Sequence, residues 1–324
     1  MRVEPDAGQG AEERAVLARM TQTILARAEL TATARESTHP AVIETAHIAQ
    51  RVLRADAPDP QRLEALGRML ARARADIAAP PGELPWPVDL VAPRAHLERS
   101  VARALKAIPR RDDGNAPAPV STVVAWRDTD TEIIHESTAL LARVWPEASA
   151  ELREILVQIA LLHGAAIDGF TDFGVHGAVF IRRDRLQRGV DGLPGAIRLA
   201  EALVHEGTHT RCNAAAVAAE PFLCPVEGDG PLVATPLRAD PRPLTGLFQQ
   251  AVVLARSLLL YRRLLDADAA PPTPEAAAAV RSRHDRLARS AIDAVNTLLE
   301  HRDALTDHGT SVLDQAADVA RARG

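Results

Sequence analysis

Apolar residues three and four positions apart, with alanine and arginine between them, run through residues 12–78, where Val16, Met20, Ile24 and Leu25 mark one stripe. That period predicts helices, and the filler residues are good helix formers. It breaks at Ala79-Pro80-Pro81-Gly82-Glu83-Leu84-Pro85-Trp86-Pro87, whose prolines remove backbone donors and clash with a preceding helical turn. A second break at residues 110–119 mixes charge, glycine, asparagine and two prolines. The β-branched run Val120-Ser121-Thr122-Val123-Val124-Ala125-Trp126 then predicts a strand.

The helical period returns over residues 146–162, and Val175-His176-Gly177-Ala178-Val179-Phe180-Ile181 reads as a second short strand. A helix is expected over residues 195–219. Four prolines in residues 228–243 predict irregular structure there. Residues 244–265 and 273–301 read as two long amphipathic helices, and a closing helix follows Thr306-Asp307-His308-Gly309. No internal repeat is visible. The expected class is mainly α: a helical N-terminal region of unassigned role over residues 1–119, then a helical domain over 120–324 with a small β-sheet beside the helix at 195–219.

Composition narrows the function classes. With 324 residues, 47% hydrophobic and 25% charged, the chain suits a globular protein of one large or two ordinary domains. A formal net charge of -5 leaves no chain-wide basic field for nucleic acid or an anionic membrane. The polar, acidic start Met1-Arg2-Val3-Glu4-Pro5-Asp6 lacks the apolar run of a secretory signal, and about 18 consecutive apolar residues occur nowhere. Two cysteines, Cys212 and Cys224, offer no disulfide framework. The expectation is a cytoplasmic protein that contacts neither nucleic acid nor membrane.

The chemistry sits in His205-Glu206-Gly207-Thr208-His209. Residues four apart share a helix face with β-carbons about 5–6 Å apart, so His205 and His209 can direct two imidazoles at one divalent ion. Glu206 lies about 100° round the helix, beside the ion, where a carboxylate can act as general base on bound water. The bland alternative is a helix that merely shows two histidines to solvent. A catalytic zinc or iron(II) site normally takes a third protein ligand. Glu220 and Glu227 follow the motif closely, while His284, His301 and His308 lie far along the chain.

Several stretches together resemble the HExxH-motif peptide-modification proteins, described as iron(II)- and 2-oxoglutarate-dependent peptide β-hydroxylases of natural-product pathways. They are Trp145-Pro146, residues 177–181, Leu203-Val204-His205-Glu206-Gly207-Thr208-His209, Arg238-Ala239-Asp240-Pro241-Arg242-Pro243-Leu244-Thr245-Gly246-Leu247 and Leu305-Thr306-Asp307-His308-Gly309. The resemblance covers roughly residues 140–324. It implies an oxygenase acting on a peptide or amino-acid substrate, with a carrier or leader peptide as the partner that presents it, and with iron(II) and 2-oxoglutarate as cofactors. His205 and His209 would then be metal ligands. Where the family pattern has a histidine after the signature glycine this chain has Gln249-Gln250, so the resemblance puts Gln249 at the third metal position.

Read on their own chemistry, Arg238 and Arg242 can grip a carboxylate such as 2-oxoglutarate in bidentate fashion, against the alternative of structural ion pairs. Two rival functions stay open. One is a zinc hydrolase or peptidase with Glu206 as general base; the other is a peptide-binding homologue that has lost catalysis. Cys212, three residues after His209, reads as a buried thiol. His163 and His176 flank the turn before the second strand and read as structural.

Overall fold

The computed structural model describes the chain except residues 56–58, 79–85, 87, 109–119, 226–230, 237, 267–272 and 323–324, and only the backbone of 238–240. The breaks read at 79–87 and 110–119 therefore lie outside the described residues, apart from the buried Trp86. The chain is 68% helical with a small mixed sheet, so the mainly α class holds. It divides into two compact units, one formed by residues 1–10, 133–154 and 185–324, the other by 11–132 and 155–184.

The second unit carries α1 (Ala7–Arg27) from Ala11 onward, α2 (Pro40–Leu53), α3 (Pro60–Ala78), α4 (Ala95–Lys106) and a five-stranded sheet. Its strands are β1 (Asp89–Leu90), β2 (Ser121–Val124), β3 (Gln158–Gly164), β4 (Gly169–Thr171) and β5 (Ala178–Arg182). Along one edge of β3, β1 pairs parallel at Gln158 and Ile159 and β2 pairs antiparallel from Leu161 to Gly164; β5 runs parallel on the other edge. Ala160, Leu162, Ala178, Phe180 and Val123 present one face to Leu97 and Val101 of α4. A separate cluster of Leu25, Val42, Ala46 and Leu70 joins α1, α2 and α3.

The strand β3 corrects the helical reading of residues 146–162, because the helix α6 (Pro146–Ile155) ends before it. Ile159, Ala160, Leu161 and Leu162 are all fully buried, so both faces of β3 are covered and no alternation marks it as a strand. The strand read at 175–181 begins three residues later, after a turn at His176 and Gly177.

This unit is rich in buried polar links. Glu44 on α2 accepts hydrogen bonds from Arg99 and Arg103 of α4, and Arg103 also reaches Asp172. Burial pushes the His39 ring down to about 3 and the His176 ring down to about 4, with nearby cationic groups adding to both. A histidine held neutral in the fold but protonated when unfolded stabilises fully above its unfolded pKa. That stability is lost as pH falls from about 6.5 toward the folded values. At pH 5 each site is expected to cost about 2 kcal/mol relative to pH 7.5, seen as a lower thermal midpoint. The His39→Asn/His176→Asn variant should lose most of that acid sensitivity; an unchanged pH slope would refute the assignment.

The first unit holds α5 (Asp128–Val144), which enters it from the second, then α6, α7 (Gly195–Ala218), α8 (Leu244–Leu265), α9 (Pro274–Glu300) and α10 (Asp307–Arg321). Of these, α7, α8 and α9 match the helices read from the sequence to within one residue at each end, and α10 begins at Asp307, three residues before the closing helix expected from the sequence. Between α7 and α8 an antiparallel ribbon, β6 (Leu232–Thr235) and β7 (Arg238–Pro243), replaces the irregular segment expected at 228–243. Its prolines are tolerated because a two-stranded ribbon leaves each strand an edge that needs no donor. The helix α8 is long and apolar enough to cross a membrane by length and composition, and 78% of that stretch is buried inside the fold.

Two resembling segments gain a packing reason. Trp145, fully buried between α5 and α6, lies under the Arg263 guanidinium, 4.5 Å from the ring centroid. Gly309 approaches the Phe222 carbonyl so closely that an added β-carbon would sit 1.9 Å from that oxygen. No larger residue fits there.

Candidate metal centre

The helix α7 forms because residues 195–218 are almost unbroken in alanine, leucine and other helix formers, and its buried residues lie on the sides packed against the rest of the unit. Through it runs a polar stripe at four-residue spacing: Glu201, His205, His209 and Asn213. Glu201 accepts hydrogen bonds from Tyr261 Oη at 2.6 Å and from Arg283 Nε at 3.2 Å. At the other end of the stripe, His209 Nδ1 lies 2.8 Å from Gln249 Oε1, and Gln249 Nε2 donates to Asn213 Oδ1 at 3.0 Å. Since Gln249 opens α8 and Tyr261 closes it, the two helices pack antiparallel with a polar rung at each end.

His205 and His209 face each other edge to face with ring centroids 5.1 Å apart. Although 34% of the His205 side chain is exposed, desolvation holds its ring well below the usual histidine range, and His209, Arg185 and Arg283 push it further down. Burial lowers His209 as well, opposed by its bond to Gln249. Both imidazoles are therefore neutral near pH 7, the form that coordinates a metal. Glu206 is buried, with Oε1 4.0 Å from His205 Nε2.

The pair fits two places in the shell of a divalent transition ion. Among the described residues, no cluster of three or more His, Cys, Asp and Glu side chains is positioned to hold one. The carbonyl oxygen of Gln249, the atom a metal would take, faces the His209 ring. Arg242 is half-buried in β7, Arg238 shares the strand backbone, and Glu227 lies outside the described residues.

Two of the distant histidines, His308 and His284, are engaged elsewhere. His308 donates from Nδ1 to the Glu220 carbonyl, and its Nε2 lies 2.8 Å from the Met1 amine. His284 pairs with Asp285. His163 and His176 belong to the other unit, the first exposed and the second buried. Burial raises the Cys212 thiol to about 12, which makes it an inert core group.

Comparison with known proteins gave no matching family model and no similar curated protein.

The sequence reading passed over Glu201, Asn213, Tyr261 and Arg283. Glu201 and Asn213 carried a usable signal, since each stands one helical turn from a motif histidine on the same face. Tyr261 and Arg283 carried none, because they reach α7 only through the packing of α8 and α9.

Proposed function

We propose that this chain is a metal-dependent oxygenase that acts on a peptide or amino-acid substrate, with His205 and His209 as metal ligands. The observation that carries the reading is the neutral imidazole pair, one helical turn apart on a rigid helix, with one ring fixed by a second-helix amide. The resemblance to HExxH-type peptide hydroxylases supplies the reaction class. Iron(II) with 2-oxoglutarate, when bound, supplies the oxidising chemistry.

The protein's own groups would prepare the site. Glu206 orients a ligand or water beside His205. Arg242, and Arg238 in the same strand, hold a carboxylate through their guanidinium forks. A peptide delivered by a carrier or leader, in the cytoplasm and away from nucleic acid and membrane, completes the reading.

The 4.0 Å approach of Glu206 to His205 favours one rival, a zinc hydrolase in which Glu206 is the general base. Anaerobic loading with iron(II) followed by 2-oxoglutarate separates the two. The oxygenase reading expects a weak visible charge-transfer band. Tight zinc binding without that band, together with hydrolysis that Glu206→Gln abolishes, would replace it with the hydrolase. Failure to take up either metal would leave a peptide-binding protein without catalysis.

A further inference from the structure

We infer that Gln249, clamped by Asn213, is a positioning residue that holds His209 with its proton on Nδ1 and its lone pair on Nε2, and is not itself a metal ligand. This rests on the metal reading of the histidine pair. It departs from the position at the ion that the resemblance gives Gln249.

Both ends of one side-chain amide are used. Its oxygen stands 2.8 Å from His209 Nδ1 and its nitrogen donates to Asn213 Oδ1 at 3.0 Å. A carbonyl oxygen accepts and cannot donate, so the ring nitrogen facing it carries the hydrogen. The other ring nitrogen, Nε2, is left with its lone pair. Asn213 stands one helical turn beyond His209, so both contacts land on the same face of α7. Turning the Gln249 amide over would set its oxygen against Asn213 Oδ1 and its nitrogen against the protonated ring nitrogen. Reversal therefore requires both amides and the ring proton to change together.

A ligating histidine is commonly held by an acceptor on its second nitrogen, which fixes both tautomer and ring plane. Here that acceptor comes from a neighbouring helix and is itself fixed by a residue of the ligand's own helix. The cost of orienting the ring is met on folding, before any ion arrives. The same geometry explains why a glutamine is serviceable here: an aspartate or glutamate could accept from the ring but could not donate to an asparagine oxygen.

The tautomer can be read without metal. In protein carrying 15N-labelled histidine, two-bond correlations should show His209 with a protonated Nδ1 and an unprotonated Nε2. Gln249→Leu should release that tautomer, and Gln249→Glu, which keeps an acceptor at the ring, should restore it. Cobalt(II) titration should then show affinity reduced by about 10–100-fold in Gln249→Leu and largely recovered in Gln249→Glu. The shape and intensity of the cobalt d–d bands should be the same in all three proteins, because the number of protein ligands does not change.

A protonated Nε2 in the wild-type protein overturns the inference alone, as does a d–d spectrum in Gln249→Leu that reports a changed coordination number. If Gln249→Leu does not fold, the wild-type tautomer and the Gln249→Glu spectrum still decide. A wild-type protein with the expected tautomer that binds no cobalt overturns the metal reading and the positioning role with it.

Discussion

Replacing His209 by alanine is expected to weaken zinc or cobalt binding by more than about 100-fold, beyond the loss typical of an outer-shell change. The reason is the small donor set. On the proposed metal reading, which rests on two imidazoles, removing one leaves a single nitrogen and no chelate. His205→Ala should do the same. The fold should survive either change, since both rings are only partly buried and α7 is held by its own apolar faces and by two polar rungs. His284→Ala removes a histidine from a different helix and should leave affinity untouched. Isothermal titration with zinc measures all three. Affinity that is unchanged in both motif variants would reduce the pair to a structural stripe and remove the basis for any metal chemistry in this chain.

The second large effect concerns stability. Glu151 on α6 is fully buried between Arg211 on α7 and Arg256 on α8. Arg256 also donates to the carbonyls of Val3 and Arg2, while the Asp6 backbone N–H donates to Glu151. Three charges taken out of water are tolerable only because both guanidinium groups share one carboxylate and that carboxylate and Arg256 are further hydrogen-bonded to the backbone. Burial and the neighbouring Arg256 pull Arg211 down to about 10.

Glu151→Ala leaves two guanidinium groups in the interior without a counter-charge, and is expected to cost about 3–5 kcal/mol. Chemical denaturation would show this as a lower midpoint with little change in slope. Replacing all three residues by apolar ones of similar size should cost much less, because no charge is then left behind. If the single and triple variants prove equally unstable, packing volume and not charge governs this cluster.

The helices and the histidine pair were legible for the same reason: each is written as a period. Residues 244–265 and 273–301 repeat apolar positions over many turns, and His205 and His209 stand one turn apart. Where no period exists, the sequence misled. Four consecutive fully buried residues in β3 look the same whether helix or strand. The prolines of 231–243 pointed to irregular structure because what decides their fate, a free strand edge, is a property of pairing and not of sequence. The contact between Gln249 and His209 joins positions 40 apart and depends on the register of α7 against α8. No local pattern encodes that register.

The interleaving of the two units has a consequence for how the chain is made. During synthesis the first ten residues leave the ribosome long before the segments they join, residues 133–154 and 185–324. Val3 cannot find Arg256 until residue 256 has emerged, nor Met1 its partner His308 until residue 308 has. The sheet closes earlier, once β5 is out at residue 182. Neither unit can therefore be obtained as a fragment by a single cut, and residues 1–10 must stay undocked while the 11–132 and 155–184 segments are made.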